Sequence, residues 1–158
     1  MNKKKPSAVT TRKPIREPSK PKSEGVELQE LRPGQSVELL KELHILTRDG
    51  RLNQDSRRKL KQVYHLFNFI EPLLTELSVQ GSGLTLADHG AGKSYLGFIL
   101  YDLYFKALGH GHIYGVETRA ELVEKSRALA QRLHFERRSF LNLSVAESGD
   151  ARELPDQI

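Results

Sequence analysis

The chain has 158 residues, room for one ordinary domain, with 37% apolar and 28% charged residues; that balance is polar enough that part of the chain should lie outside any core. It contains no cysteine, which excludes disulfides, thiolate metal sites and cysteine nucleophiles and accords with a reducing cytoplasm, the expected location. No apolar run approaches the roughly 20 residues that span a bilayer, and the basic N-terminus has no apolar stretch behind it, so neither a membrane span nor a secretory signal is expected.

The net charge of +5 is unevenly placed: residues 1–25 hold eight Lys/Arg and two Glu, a net of +6, which leaves −1 for the rest. These residues also carry Pro6, Pro14, Pro18 and Pro21 and little to bury, so they are expected to form a disordered basic tail. Such a tail can gather near phosphate backbones without reading sequence, or it can simply solubilise; the absence of aromatic residues to stack on bases favours the second.

Residues 26–80 are expected to form a helical N-terminal segment. Ser36 can cap a short helix with Val37, Leu40, Leu43 and Leu46 on its apolar side, and Arg48-Asp49-Gly50 is a turn. A longer helix follows, capped by Asn53 or Asp55. Its apolar residues Leu60, Val63, Phe67, Ile70, Leu74 and Leu77 recur at spacings of three and four, the mark of a buried stripe. Pro72 is expected to kink or divide it. Arg57, Arg58, Lys59 and Lys61 cluster in its first turns, where the helix dipole disfavours cations. One reading is a contact to nucleic acid or another anion; the other, favoured because charge runs are usually solvated, is a polar face paired with nearby acids.

After Gly81-Ser82-Gly83 the period changes. Residues 84–87 form a short apolar run suited to a strand buried on both faces, then Asp88 to Ser94 form a glycine-rich loop. A helix is expected over 95–108, a second strand over 112–116 ending at Glu117, a second helix over 120–133 and a third strand over 139–146. Strand, helix, strand, helix and strand within about 65 residues imply right-handed parallel crossovers, hence an α/β, Rossmann-like parallel sheet with helices on its faces. No metal site is expected, because the six histidines show no ligand spacing beyond His110-x-His112.

A glycine-rich loop between a buried strand and a helix lets backbone amides approach a ligand closely. Three ligand classes use this device. A P-loop, G-x-x-x-x-G-K-[ST], is half matched by Gly92-Lys93-Ser94, but Ala87 stands at its first glycine and Asp88 would face the phosphates. A dinucleotide loop, G-x-G-x-x-G, fails at Tyr95, where the helix needs a residue without a side chain to pack on the strand. The third pattern is D/E-x-G-x-G-x-G, matched by Asp88-x-Gly90-x-Gly92-x-Ser94 with only the last glycine replaced.

In this third pattern the chain resembles the class I S-adenosylmethionine-dependent methyltransferases. Its stretch Asp88-His89-Gly90-Ala91-Gly92-Lys93-Ser94-Tyr95-Leu96 is similar to a bacterial subgroup whose loop reads roughly D-x-G-[AC]-G-K-[GS]-Y-L. The resemblance covers about residues 84–158. It implies S-adenosyl-L-methionine as cofactor, held by Asp88, Gly90, Ala91 and Gly92 at the first strand end, by Glu117 on the ribose hydroxyls, and by Asp150 and Ala151 at the adenine. It implies transfer of the sulfonium methyl to an unidentified acceptor, RNA or protein among the candidates. It also implies a seven-stranded sheet ordered 3-2-1-4-5-7-6, of which residues 81–158 carry the first three strands, so the chain is expected to be an N-terminal fragment whose catalytic residues lie beyond residue 158. Two other classes compete: a non-catalytic adaptor that binds nucleic acid through the basic tail and helix, and a nucleotide hydrolase.

Overall fold

In a computed structural model, residues 28–80 and 83–150 are described. The basic tail of residues 1–25 lies outside them. The first element is a single 3-10 turn, Leu28–Glu30. Helix α1, Val37–Glu42, is capped as its sequence directs, with the Ser36 hydroxyl accepting from Leu39 N. The Ser36 amide donates in turn to the buried Asp102 carboxylate (2.9 Å to Oδ2), which ties α1 to the centre of the molecule.

Helix α2, Gln54–Val79, is capped by Asn53, whose side chain accepts from Ser56 N. Pro72 lies inside it without dividing it, because buried residues on both sides, Phe67 and Leu74, hold the two halves to the same core. Leu60, Val63, Phe67 and Leu74 are buried as the spacing predicts. Leu77 is not: it is about half exposed, alongside exposed Leu66, Phe69, Leu73 and Val79.

The sheet has three parallel strands in the order β1-β2-β3: β1 Thr85–His89, β2 His112–Val116 and β3 Arg138–Leu141. The register aligns Asp88 with Gly115 and Gly115 with Phe140. Helix α3, Tyr95–Leu100, continues through a π-helical turn, Tyr101–Phe105, into α4, Lys106–Leu108. Helix α5, Ala120–Arg132, makes the second crossover. The residues that β2, β3 and the edge of β1 give to the main core, Leu84, Leu86, Ile113 and Phe140, alternate onto one face, where they meet Phe98, Phe105, Val123 and Phe135 as well as Leu39 and Phe67 of the N-terminal helices.

Two expectations change here. The first strand is not buried on both faces: Thr85, Ala87 and His89 are exposed, because β1 pairs only with β2 among the described residues and both crossover helices pack on its other face. The third strand ends at Leu141 rather than running to Ala146. Residues from Val145 form helix α6, Val145–Asp150, nucleated by a capping box: Glu147 N donates to the Ser144 hydroxyl (3.2 Å) and Ser144 N donates to the Glu147 carboxylate (2.7 Å).

Candidate cofactor-binding site

The turn from β1 to α3 is built from alternate residues of one backbone type. Gly90, Gly92 and Ser94 all have positive φ, at 65°, 55° and 56°. This is the left-handed region that an L-residue reaches only at a cost. The two glycines meet that demand without strain, and Ser94 meets it in the position where the methyltransferase pattern has its third glycine. The turn is braced by Ala91 N donating to Val116 O (3.0 Å) and by Ser94 N donating to Ala91 O (2.6 Å). A Cβ on Gly90 would meet nothing within 4 Å, so the backbone there faces open space.

The acid at the end of β2 faces this turn. Glu117 is buried, and its carboxylate accepts from Gly92 N (2.8 Å), from Arg119 N (3.0 Å) and from the Arg119 guanidinium (2.9 and 3.2 Å). The Arg119 side-chain and backbone donors, with the Gly92 amide, hold its carboxyl down to about 2, so it is ionised throughout the physiological range. The Arg119 side chain is largely exposed and its Nη2 lies 3.6 Å from where a Gly92 Cβ would stand. Two guanidinium N–H groups thus occupy the carboxylate edge to which a pair of vicinal hydroxyls would donate.

Asp88, last but one in β1, is half-buried. Burial raises its carboxyl, opposed by the Arg138 charge, the Gly97 amide and His89. Asp88, Gly90, Ala91, Gly92 and Glu117 therefore converge at the C-terminal ends of β1 and β2, where open α/β sheets bind their ligands. Asp150 closes α6 in a helix rather than a loop; its side chain, and Ala151, lie outside the described residues. His89 Nδ1 is 3.3 Å from the Ser148 hydroxyl, which brings α6 to the same edge, and Lys93 is exposed.

Other sequence expectations resolve locally. A P-loop requires its serine hydroxyl open to a metal, and Ser94 is enclosed. Of the basic cluster, Arg57 pairs with Glu30 (2.9 Å), while Arg58 and Lys59 share Asp55; Lys61 is exposed. His112 Nε2 lies 2.8 Å from the Ser139 hydroxyl and its ring stacks on Tyr114. No group of three or more metal-ligating side chains occurs among the described residues, and no helix there is long and apolar enough to cross a membrane. Sequence reasoning missed Arg119 and Arg138. The only trace of Arg119 in the sequence is its place two residues after the strand-end acid.

A parallel sheet with a left-handed glycine turn after β1 and an ionised acid at the end of β2 defines a Rossmann-like cofactor-binding domain. Comparison with known proteins specifies it. The methyltransferase-domain family matches residues 58–158, and the chain belongs to that family. No curated protein sequence matches. Among solved structures it is similar to the bifunctional kinase-methyltransferase WbdD, at 21% identity over 82% of this chain and 25% of that one, with a TM-score of 0.43. It is also similar to magnesium protoporphyrin IX methyltransferase (ChlM) from Synechocystis PCC 6803 with bound SAH, at 19% identity over 72% of this chain and 49% of that one, with a TM-score of 0.42. A third is a SAM-dependent methyltransferase from Aquifex aeolicus, at 20% identity, 53% and 46% coverage and a TM-score of 0.32. The chain spans between a quarter and a half of the length of these proteins.

Proposed function

We propose that this chain is the cofactor-binding part of a class I methyltransferase and that its site takes S-adenosyl-L-methionine. The observation that carries the reading is the Glu117 carboxylate, buried, ionised and aimed across the Gly90–Gly92 turn. The residues present fit that cofactor. Open backbone at Gly90 admits a ligand, and Glu117 is charged and placed to accept from two ribose hydroxyls once the Arg119 guanidinium swings aside. The family resemblance assigns the adenine to Asp150 and Ala151, whose side chains lie outside the described residues. When bound, the cofactor supplies a methyl group activated by a sulfonium. The Gly90–Gly92 turn and Glu117 would hold and orient it, and proximity and orientation are what such a domain contributes to an in-line displacement.

An acceptor of nucleic acid is the weaker reading of the partner, because three of the four clustered cations are already engaged by Glu30 and Asp55. Calorimetry tests the cofactor assignment. S-adenosylhomocysteine should bind, ATP with Mg²⁺ and NAD should not, and Glu117→Ala should weaken S-adenosylhomocysteine by roughly tenfold to a hundredfold, the usual loss for a charge-assisted hydrogen-bond pair. Binding of ATP in preference, or an affinity indifferent to Glu117→Ala, would refute it.

A further inference from the structure

Arg138 opens β3 with its side chain completely enclosed. None of its three guanidine nitrogens has a hydrogen-bond partner among the described residues. The side chain lies between the sheet and α3 in a slot whose walls are specific. The Phe140 ring is 4.5 Å and the Phe98 ring 5.6 Å from Cζ. A Cβ on Gly115 would stand 3.1 Å from Nη2, and a Cβ on Gly97 would overlap the guanidinium outright. Gly97 sits inside α3 without a positive φ, so glycine is there for space and not for backbone freedom. Two glycines on separate elements and two aromatic rings thus make room for one guanidinium.

Stability does not account for this arrangement. A buried cation without hydrogen bonds is unfavourable, and replacing such groups by apolar ones is often neutral or stabilising. Burial accordingly draws Arg138 down to about 10. What the charge reaches is Asp88, whose Oδ2 lies 3.8 Å from Nη2. Asp88 is the last residue but one of β1, just before the glycine-rich turn, and burial alone would favour its neutral form. The groups that oppose this are Arg138 from β3, the Gly97 amide from α3 and the adjacent His89 of β1. On its own side Arg138 also acts on His112 of β2.

We propose that Arg138 is a positioning residue of the cofactor site, holding the Asp88 carboxylate ionised and in place at the foot of the Gly90–Gly92 turn from a slot cut by Gly97 and Gly115. Affinity at the turn then depends on a charge on β3 that never touches the ligand. This rests on the cofactor reading above, and the test separates the two. Arg138→Met and Arg138→Lys are compared with the unaltered chain by carbon-detected NMR titration of the Asp88 carboxyl and by calorimetry with S-adenosylhomocysteine from pH 8 to pH 5. Arg138→Met should raise the Asp88 midpoint, the effect of removing an adjacent opposite charge. It should also make S-adenosylhomocysteine affinity fall as pH is lowered through that midpoint. Arg138→Lys keeps the charge at a longer reach, so it should give a smaller shift and restore most of the affinity; it carries the test should Arg138→Met not fold. An Asp88 midpoint unmoved in both variants overturns the inference, as does a moved midpoint with an unchanged pH profile of binding. Failure of the unaltered chain to bind S-adenosylhomocysteine would instead overturn the cofactor reading, while the titration would still decide whether Arg138 governs Asp88.

Discussion

Gly97→Ala isolates the slot beneath the glycine turn. In a helix interior alanine is favoured over glycine by about 1 kcal/mol, so an ordinary helical glycine would gain stability from the change. Here the new methyl group overlaps the Arg138 guanidinium. The guanidinium cannot retreat far, because the Phe140 and Phe98 ring centroids lie 4.5 and 5.6 Å from its Cζ. Overpacking of this kind costs roughly 1–3 kcal/mol, and the enclosed guanidinium puts this case at the upper end of that range. Set against the helix gain, Gly97→Ala should destabilise by roughly 2 kcal/mol. In an Arg138→Val background the slot is empty, and the same change should stabilise by up to about 1 kcal/mol. The coupling energy across the cycle is therefore about 3 kcal/mol, far above the few tenths expected of independent sites. Urea unfolding followed by circular dichroism, with slopes compared to check that the denatured state is unchanged, measures all four proteins. If Gly97→Ala has the same sign in both backgrounds, the guanidinium does not fill that space and the reasoning is wrong.

Three further predictions concern the turn and its acid. Ser94→Gly should raise stability by about 1 kcal/mol by relieving a left-handed serine; a lower urea midpoint would show that the enclosed hydroxyl matters more than the backbone. Glu117 is held at about 2 in the fold against 4.5 for the free side chain, so its contribution is complete above pH 4.5 and is lost as pH falls from there towards 2. Glu117→Gln should flatten the acid limb of thermal stability in that window and lower stability above pH 4.5, where the ionised carboxylate contributes fully, which melting curves from pH 6 to pH 2.5 would reveal. Arg119 competes with a ribose for Glu117, so Arg119→Ala should tighten S-adenosylhomocysteine by about two- to fivefold, the scale of an exposed ion pair, and added salt should tighten the unaltered protein in the same direction; weaker binding on titration of Arg119→Ala would mean that Arg119 holds the ligand instead.

Much of this architecture was legible before the fold was known, because it rests on local chemistry. Asn53 and Ser36 cap helices through their own side chains, the three-four spacing from Leu60 to Leu74 selects a helix, and Gly90 and Gly92 mark a turn that needs positive φ. Glu117 was legible as a strand-end acid for the same reason, since strand length places it. One local signal was present and overlooked: Ser144-Val145-Ala146-Glu147 is a capping box, and it ended the third strand early in favour of a helix. What the tertiary structure alone decided concerns partners distant in the chain. Whether a strand is covered on one face or two depends on where its crossover helices pack, so the exposure of Thr85 and Ala87 could not be read from their apolar neighbours. An arginine at the start of a strand reads as a surface residue. It becomes a buried charge only because Gly97, 41 positions earlier, and Gly115, 23 positions earlier, vacate the volume that its side chain crosses to reach Asp88.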